Sequence, residues 1–189
     1  MLKHLATLFV AFVLPGLVMA DDTCTALFDF GQPEATDGWR SVNDTVMGGR
    51  SRGSASYGDS AMLFSGIINT DGGGFASVRA RLPAPGLAGA NAIRLRIKPD
   101  ARTYQVSIQT NVRFRGRPVA YRATIRTLTV GEWSEPTVFF SELTPTVFGQ
   151  RVNAPVFNPD NASVISLYVN DGLDGPFELV VGEISRCAI

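Results

Sequence analysis

The sequence has almost no histidine and very little cysteine. Its single histidine, His4, lies within the first twenty residues, and its two cysteines, Cys24 and Cys187, lie near the two ends of the chain. If the first twenty residues are removed, the chain that remains has no histidine. This excludes Ser-His-Asp and Cys-His nucleophiles, histidine-ligated zinc and a histidine general base from that part of the chain.

The first twenty residues have the pattern of a secretory signal peptide. Lys3 supplies a positive charge, an apolar run follows from Leu5 to Leu14, and Val18-Met19-Ala20 predicts cleavage before Asp21. The apolar run is shorter than the roughly 20 residues that span a bilayer as a helix, and a retained membrane anchor is the alternative. We therefore predict a signal peptide over 1–20, one domain over 21–189, and export to the periplasm or the cell exterior.

Two isolated cysteines in an exported chain are expected to form a disulfide. A bond between Cys24 and Cys187 would close nearly the whole domain, and the chain-entropy model gives about 5 kcal/mol for such a loop. Two buried free thiols are the alternative. If the bond forms, the first and last strands must be neighbours, so the prediction also concerns topology.

Helical periodicity is missing, whereas period-two alternation runs through the chain. For example, Ile93, Leu95 and Ile97 alternate with Arg94 and Arg96. Strands are predicted over 24–30, 50–57, 61–69, 75–82, 93–98, 103–109, 121–126, 133–140, 163–170 and 177–186. About ten antiparallel strands with their ends joined predict an all-β fold, an antiparallel β-sandwich of jelly-roll type.

The formal net charge of zero hides an asymmetry. The segment 79–126 has eleven lysines and arginines against one acid, while the rest of the chain is acidic overall. Arg79, Arg94, Arg96 and Arg122 point outward in the predicted strands, so we expect a basic cluster on one sheet face. Such a face attracts an anionic glycan, a lipid headgroup or an acidic patch of a protein. A merely solvated face is the alternative, and nucleic acid fits poorly because export removes the usual target.

The segment 142–161 interrupts the strand pattern with three prolines and three asparagines. Long segments of this kind in compact domains are usually functional or mobile. Phe148 and Arg151 are therefore candidate binding residues. The alternative is that Phe148 and Phe157 close one end of the core.

The stretch VNDTVMGGRSRG, residues 42–53, combines glycines with a carboxylate. Its glycine spacing matches neither phosphate-binding pattern, and no helix follows it. Apolar Val46 and Met47 follow Asn43, Asp44 and Thr45, so the local ligands are too few for calcium. A composite site with Asp71 or Asp171 stays open, and no metal is predicted. A turn in which Asp44 caps backbone amides has more support. Asn43 and Asp44 are also candidate binding residues at the rim of this turn.

Three motifs follow one another in the first half of the chain: D-x-V-M-G-G-x-S at 44–51, F-x-G at 64–66 and G-G-F-x-S-x-R at 73–79. Together they resemble the complex I intermediate-associated protein 30 family, and the similarity covers nearly all of the predicted mature chain. The signature residues, expected to be structural, are Trp39, Asp44, Met47, Gly48, Gly49, Ser51, Phe64, Gly66, Gly73, Gly74, Phe75 and Ser77. The resemblance implies a galactose-binding-like β-sandwich without enzymatic activity, because mitochondrial members help to assemble the respiratory NADH:ubiquinone oxidoreductase.

Three functions follow from these observations. The first is an exported, non-catalytic binding or assembly module with a protein partner, in which a membrane complex is one candidate and no cofactor is expected. The second is a carbohydrate-binding module, in which Trp39, Tyr104, Trp133 or Tyr168 would stack on a sugar ring. The third is an enzyme that acts through Asp44 and a distant carboxylate, and the absence of histidine and of cofactor motifs disfavours it.

Overall fold

The computed structural model describes residues 23–126 and 129–189, so the predicted signal peptide lies outside the described residues. The strands are β1 (Thr23–Asp29), β2 (Arg40–Ser41), β3 (Arg52–Gly58), β4 (Ala61–Ile68), β5 (Ala76–Arg81), β6 (Ala92–Pro99), β7 (Tyr104–Phe114), β8 (Arg117–Thr124), β9 (Thr137–Phe139), β10 (Thr144–Val147), β11 (Gln150–Arg151), β12 (Ala162–Val169) and β13 (Gly175–Ala188). Short 3-10 turns occupy Pro33–Thr36, Asp44–Met47, Phe140–Glu142 and Pro159–Asn161. Within residues 23–126 and 129–189, no helix has the length and apolar character needed to cross a bilayer.

The strands form two antiparallel sheets. One has the order β3-β4-β13-β6-β9, with β1 also paired to β13, and the other has the order β11-β10-β8-β7-β12-β5-β2. We call them the six-stranded and the seven-stranded sheet. Their inner faces share one hydrophobic core. The apolar residues of the predicted alternation lie in it, and Ile93, Leu95 and Ile97 are fully buried. The ten predicted strands thus correspond to strands of the structure, with shifted ends.

The disulfide between Cys24 and Cys187 is present, as the sequence predicts. The two cysteines are opposite each other in the ladder between β1 and β13, with their Cα atoms 4.2 Å apart. The first and last strands are therefore neighbours, and the bond joins residues 163 positions apart in the sequence.

The segment 142–161 has more regular secondary structure than expected, because it contains the short hairpin of β10 and β11. β10 pairs with β8 and so extends the seven-stranded sheet at one edge. The two phenylalanines of this segment have different environments. Phe157 packs in the core against Tyr121 and Phe140, whereas Phe148 is 70% exposed at the turn of the hairpin. Only one of them closes the core.

Candidate functional site

The Asp44 side chain lies at the centre of the glycine-rich stretch and is fully buried. Its Oδ1 accepts a hydrogen bond from the Ser51 N–H (2.8 Å), and its Oδ2 accepts bonds from the Ser51 hydroxyl (2.6 Å), the Gly74 N–H (2.6 Å) and the Phe75 N–H (3.3 Å). Burial acts to raise the pKa of this carboxyl, but the hydrogen bonds from Ser51, Gly74 and Phe75 favour the charged form and together lower the pKa. The carboxylate therefore joins its own loop to the loop that precedes β5.

Glycines surround Asp44 because its carboxyl group fills the space that their side chains would need. A Cβ at Gly49 would overlap the Asp44 carboxyl carbon, and a Cβ at Gly73 would overlap its Oδ2. Gly48 has a different reason, since it ends the 3-10 turn with a φ of 90°, which favours glycine. The stretch is thus an anion cradle, and the anion that it holds is the carboxylate of the chain itself.

Two further polar residues of this region fasten neighbouring segments to each other. The Ser77 hydroxyl donates to the Val42 carbonyl (2.6 Å), and the Asn43 amide donates to the Gly53 carbonyl (3.1 Å). Both bonds join the chain around Asp44 to strands that follow it. Asn43 is therefore a structural contact at this corner of the sandwich.

The apolar signature residues divide into buried and exposed ones. Trp39 and Phe64 belong to the hydrophobic core, and a Cβ at Gly66 would overlap the carbonyl oxygen of Arg52 on the neighbouring strand. Met47 instead is 61% exposed on the turn. Most of the signature therefore supports the fold at this end of the molecule.

The aspartates of the calcium alternative hold separate partners. Asp71 pairs with Arg50 at 2.8 Å on the surface, and Asp171 accepts bonds from Nε and Nη2 of Arg102, both at 2.7 Å, in a nearly buried pair. Burial acts to raise the pKa of Asp171, but hydrogen bonds from Arg102 and from backbone amides lower it. The three aspartates thus do not form a common ion site.

A row of polar side chains crosses the outer face of the seven-stranded sheet. On β5, Ala76, Val78 and Ala80 face the core, so the alternation turns Ser77 and Arg79 outward. The residues in register across six strands are Thr144 on β10, Arg122 on β8, Ser107 on β7, Ser166 on β12, Arg79 on β5 and Arg40 on β2. At about 4.8 Å for each strand, the row is about 24 Å long.

Arg79 and Arg122 converge on one ring, that of Tyr168 on β12. The Cζ atoms of Arg122 and Arg79 lie 4.3 Å and 5.7 Å from the ring centroid. Nη2 of Arg79 also donates to the Tyr168 hydroxyl at 2.7 Å. Because the Arg122 side chain crosses β7 to reach β12, it lies over the small side chains there, which accounts for exposures of 1% at Ser107 and 2% at Ser166.

These two guanidinium groups have no carboxylate partner in the part of the chain that the structure describes. The ion pairs found there involve other arginines. The Nε atoms of Arg79 and Arg122 are buried and have no hydrogen-bond acceptor among the described residues. The outer face therefore carries two partly desolvated positive charges that the described protein does not neutralise. We call Arg79, Arg122 and Tyr168 the arginine–tyrosine site.

The expectation of one basic face is wrong. Arg94 and Arg96 lie on β6 in the six-stranded sheet, whereas Arg79 and Arg122 lie in the other sheet. Arg96 packs over Trp133, with its Cζ 4.2 Å from the ring. Period-two alternation predicts which side chains point outward from a strand, but it does not predict which strands share a sheet.

The hairpin of β10 and β11 borders the arginine–tyrosine site beside β8. A Cβ at Gly149 would lie 3.9 Å from Nη1 of Arg122, so the turn of the hairpin reaches this guanidinium. The Phe148 ring projects from the same turn, with Cζ of Arg117 4.8 Å from its centroid. Arg151 is exposed on β11, opposite Thr146. The segment predicted to be functional thus forms one edge of the site.

Ser107, Ser166 and Arg40 gave no signal in the sequence, because their positions in the row depend on strand register. Tyr168 stood out only as an aromatic ring. The sequence signal that points to this site is the G-G-F-x-S-x-R motif, because its serine and its arginine both face outward on β5. The motif therefore identifies one strand of the site but not the strands that complete it.

The sequence model of one protein family, described as Complex I intermediate-associated protein 30, matches residues 28–181. The match includes all three signature motifs and the strands of the arginine–tyrosine site. A comparison with curated proteins gives no significant match.

Several solved structures share the fold. The family 11 carbohydrate-binding module of the cellulosomal cellulase Lic26A-Cel5E of Clostridium thermocellum has a TM-score of 0.63 and 18% identity, over 88% of this chain and 95% of the module. The Clostridium thermocellum family 11 module in complex with a β-1,3-1,4-mixed-linked tetrasaccharide gives 0.58 and 18%, with the same coverages of 88% and 95%. A family 30 carbohydrate-binding module gives 0.57 and 10%, over 88% of this chain and 89% of the module. These similarities concern the fold alone, and they confirm the predicted antiparallel β-sandwich.

Proposed function

Because the chain belongs to the complex I intermediate-associated protein 30 family, we propose that it is an exported, non-catalytic binding module that helps a membrane protein complex to assemble. The complex named by the family, respiratory complex I, is the first candidate. An exported chain would meet it from the outer side of the membrane. The Cys24–Cys187 disulfide supports this location, because such bonds persist in oxidising compartments.

The observation that carries the proposal is the arginine–tyrosine site. Two guanidinium groups that no carboxylate of the described residues neutralises suit contact with an acidic patch of a protein, because complementary charge steers encounter and fixes orientation. The partner would cover the row between β10 and β2 and touch the exposed Phe148 at its edge. Arginine and aromatic residues are enriched at such interfaces.

The environments of the aspartates support a role without catalysis. A general base needs a free lone pair within reach of a substrate proton. Asp44 is fully buried, and both of its oxygens already accept hydrogen bonds from the chain. Asp171 is held in the same way by Arg102. Both carboxylates therefore serve the fold.

Carbohydrate binding is the second candidate, and the fold of the similar modules favours it. The aromatic rings considered for sugar stacking support it poorly. Trp39 and Tyr104 belong to the core, and Tyr168 and Trp133 lie under arginine guanidinium groups. A sugar needs an open ring face, and of these four rings only Trp133 is substantially exposed, at 45%. Binding on a glycan array above background, lost in Trp133→Ala, would favour this candidate over the first.

Deletion of the gene tests the assembly proposal. We expect native electrophoresis of solubilised membranes to show less assembled complex I, with the amount restored by the wild-type chain. The double variant Arg79→Glu, Arg122→Glu should fail to restore it, whereas Arg94→Glu, Arg96→Glu on the other sheet should succeed. Normal assembly in the deletion strain would refute the proposal.

A further inference from the structure

We infer that the arginine–tyrosine site binds a carboxylate group of an acidic segment in the partner protein. The inference rests on the proposed function, because it assigns the chemistry by which the partner is recognised. Its basis is the convergence of Arg79, Arg122 and Tyr168, three residues from three different strands.

The geometry brings two positive charges close together. Since both Cζ atoms are near the centroid of the Tyr168 ring, they are at most about 10 Å apart, and the Debye length at physiological salt is about 8 Å. The two guanidinium groups therefore repel each other weakly in the free protein. An anion that contacts both groups replaces this repulsion by two attractions.

The site also offers hydrogen-bond donors that are not used within the described residues. Guanidinium groups have five N–H donors each, and among the described residues only Nη2 of Arg79 donates, to Ser77 and Tyr168, while the buried Nε atoms have no acceptor. The Nη groups are therefore the donors that remain for a ligand. The Tyr168 oxygen accepts a bond from Arg79, so its own hydrogen is available to a ligand oxygen. A carboxylate accepts bidentate bonds from guanidinium groups and a further bond from a hydroxyl.

Partial burial makes these charges more effective. The Nε atoms are already shielded from water, and the Tyr168 ring is 6% exposed beneath the two side chains. Charges that are partly desolvated before binding interact more strongly with an anion than fully hydrated ones. Contact with the ring also holds the guanidinium groups in place, so less side-chain freedom is lost on binding.

The surroundings favour a protein carboxylate over an acidic sugar. The Tyr168 ring is covered by guanidinium groups and does not present a stacking surface. Besides Arg79 and Arg122, the row contains three short hydroxyl side chains (Thr144, Ser107 and Ser166) and Arg40 at its β2 end. Its full length of about 24 Å suits an extended peptide. Phe75, 6.0 Å from Tyr168, and the exposed Phe148 offer apolar contacts at its borders.

Titration of the purified protein with a capped hexaglutamate peptide tests this inference directly. The readout is the ¹⁵N–¹H spectrum of the arginine side chains, in which buried Nε–H groups exchange slowly. We expect the Nε resonances of Arg79 and Arg122 to shift together and saturably. Those of Arg94 and Arg96 should stay unchanged.

Matched variants give the second readout. Arg79→Gln and Arg122→Gln should each weaken hexaglutamate binding about tenfold, which corresponds to 1.4 kcal/mol, and Arg94→Gln should leave it unchanged. Tyr168→Phe keeps the ring, and we expect a smaller loss of affinity. Thermal melting of each variant establishes that it is folded, and the wild-type titration stays informative for any variant that is not.

The alternative ligands are arms of the same titration. A hexamer of galacturonic acid or inorganic phosphate that shifts the two Nε resonances at lower concentration than hexaglutamate would overturn the assignment to a protein carboxylate. No shift with any of the three at 10 mM, roughly the weakest affinity of interest, would overturn the site itself. Either result together with poor complex assembly in the deletion strain would leave the proposed function standing. Normal assembly together with a positive titration would refute the proposed function and keep the site.

Discussion

Replacement of Asp44 by asparagine should destabilise the fold, although Asp44 is not itself part of the arginine–tyrosine site. The carboxylate accepts four hydrogen bonds, three of them at Oδ2 and one at Oδ1. An asparagine that places its carbonyl at the Oδ2 position keeps three acceptor contacts. Its NH₂ group then faces the Ser51 N–H, so two buried donors meet without an acceptor.

The expected loss can be estimated from these contacts. An unsatisfied buried donor costs about 1–3 kcal/mol, and a hydrogen bond to a charged acceptor exceeds one to a neutral acceptor by about 1 kcal/mol. With one mismatch and three weakened bonds, we expect the free energy of unfolding to fall by about 4–6 kcal/mol. For a domain of this size, the central value of about 5 kcal/mol lowers Tm by about 10–20 °C.

Chemical denaturation with matched controls measures this effect. Asp71→Asn removes a carboxylate of the same loop region whose ion pair with Arg50 is about 70% exposed on both sides, and it should cost less than about 1 kcal/mol. Asp44→Ser removes the carboxylate and also empties the space that it fills beside Gly49 and Gly73. If Asp44→Asn unfolds at the wild-type denaturant concentration, the carboxylate does not support the fold, and its role must be sought in binding or catalysis.

Two further predictions concern acid and reduction. The pKa values of Asp44 and Asp171 are lowered in the folded chain, so their stabilising contribution is complete above about pH 5 and is lost as the pH falls from about 4 toward the folded values. Urea midpoints measured between pH 2.5 and 7 should show this decline, with a shallower slope in Asp44→Asn and Asp171→Asn. A flat profile for the wild type would contradict the prediction. Replacing both Cys24 and Cys187 by alanine should lower the free energy of unfolding by about 3–5 kcal/mol; a reductant should destabilise the wild type by a similar amount and leave the variant unchanged, and equal midpoints for the two proteins would contradict the prediction.

The strands and the disulfide were predictable because they depend on local patterns. Alternation over five to eight residues marks a strand with one buried face, and Ile93, Leu95 and Ile97 show it directly. The two cysteines then imply that the first and last strands are neighbours. The hairpin of β10 and β11 was missed because it has few residues and contains Pro145, which argues against a strand.

The arginine–tyrosine site could not be predicted because it is built from long-range register. Arg79 and Tyr168 are 89 positions apart, and Arg122 reaches the same ring across an intervening strand. Alternation shows that each of these side chains points out of its strand. The order of strands in a sheet is a property of the whole fold, so the same alternation placed Arg94 and Arg96 on the wrong face.

The signature motif and the arginine–tyrosine site are parts of one structure, and this determines how variants must be interpreted. Asp44 holds the N–H groups of Gly74 and Phe75, and these residues lead directly into β5, which carries Ser77 and Arg79. A variant of Asp44 therefore loosens the strand that positions one of the two guanidinium groups. It will weaken partner binding as well as stability, although it contacts no ligand. Loss of binding in a signature variant thus identifies a structural support, and only variants at Arg79, Arg122 and Tyr168 that keep the wild-type Tm can identify the contact itself.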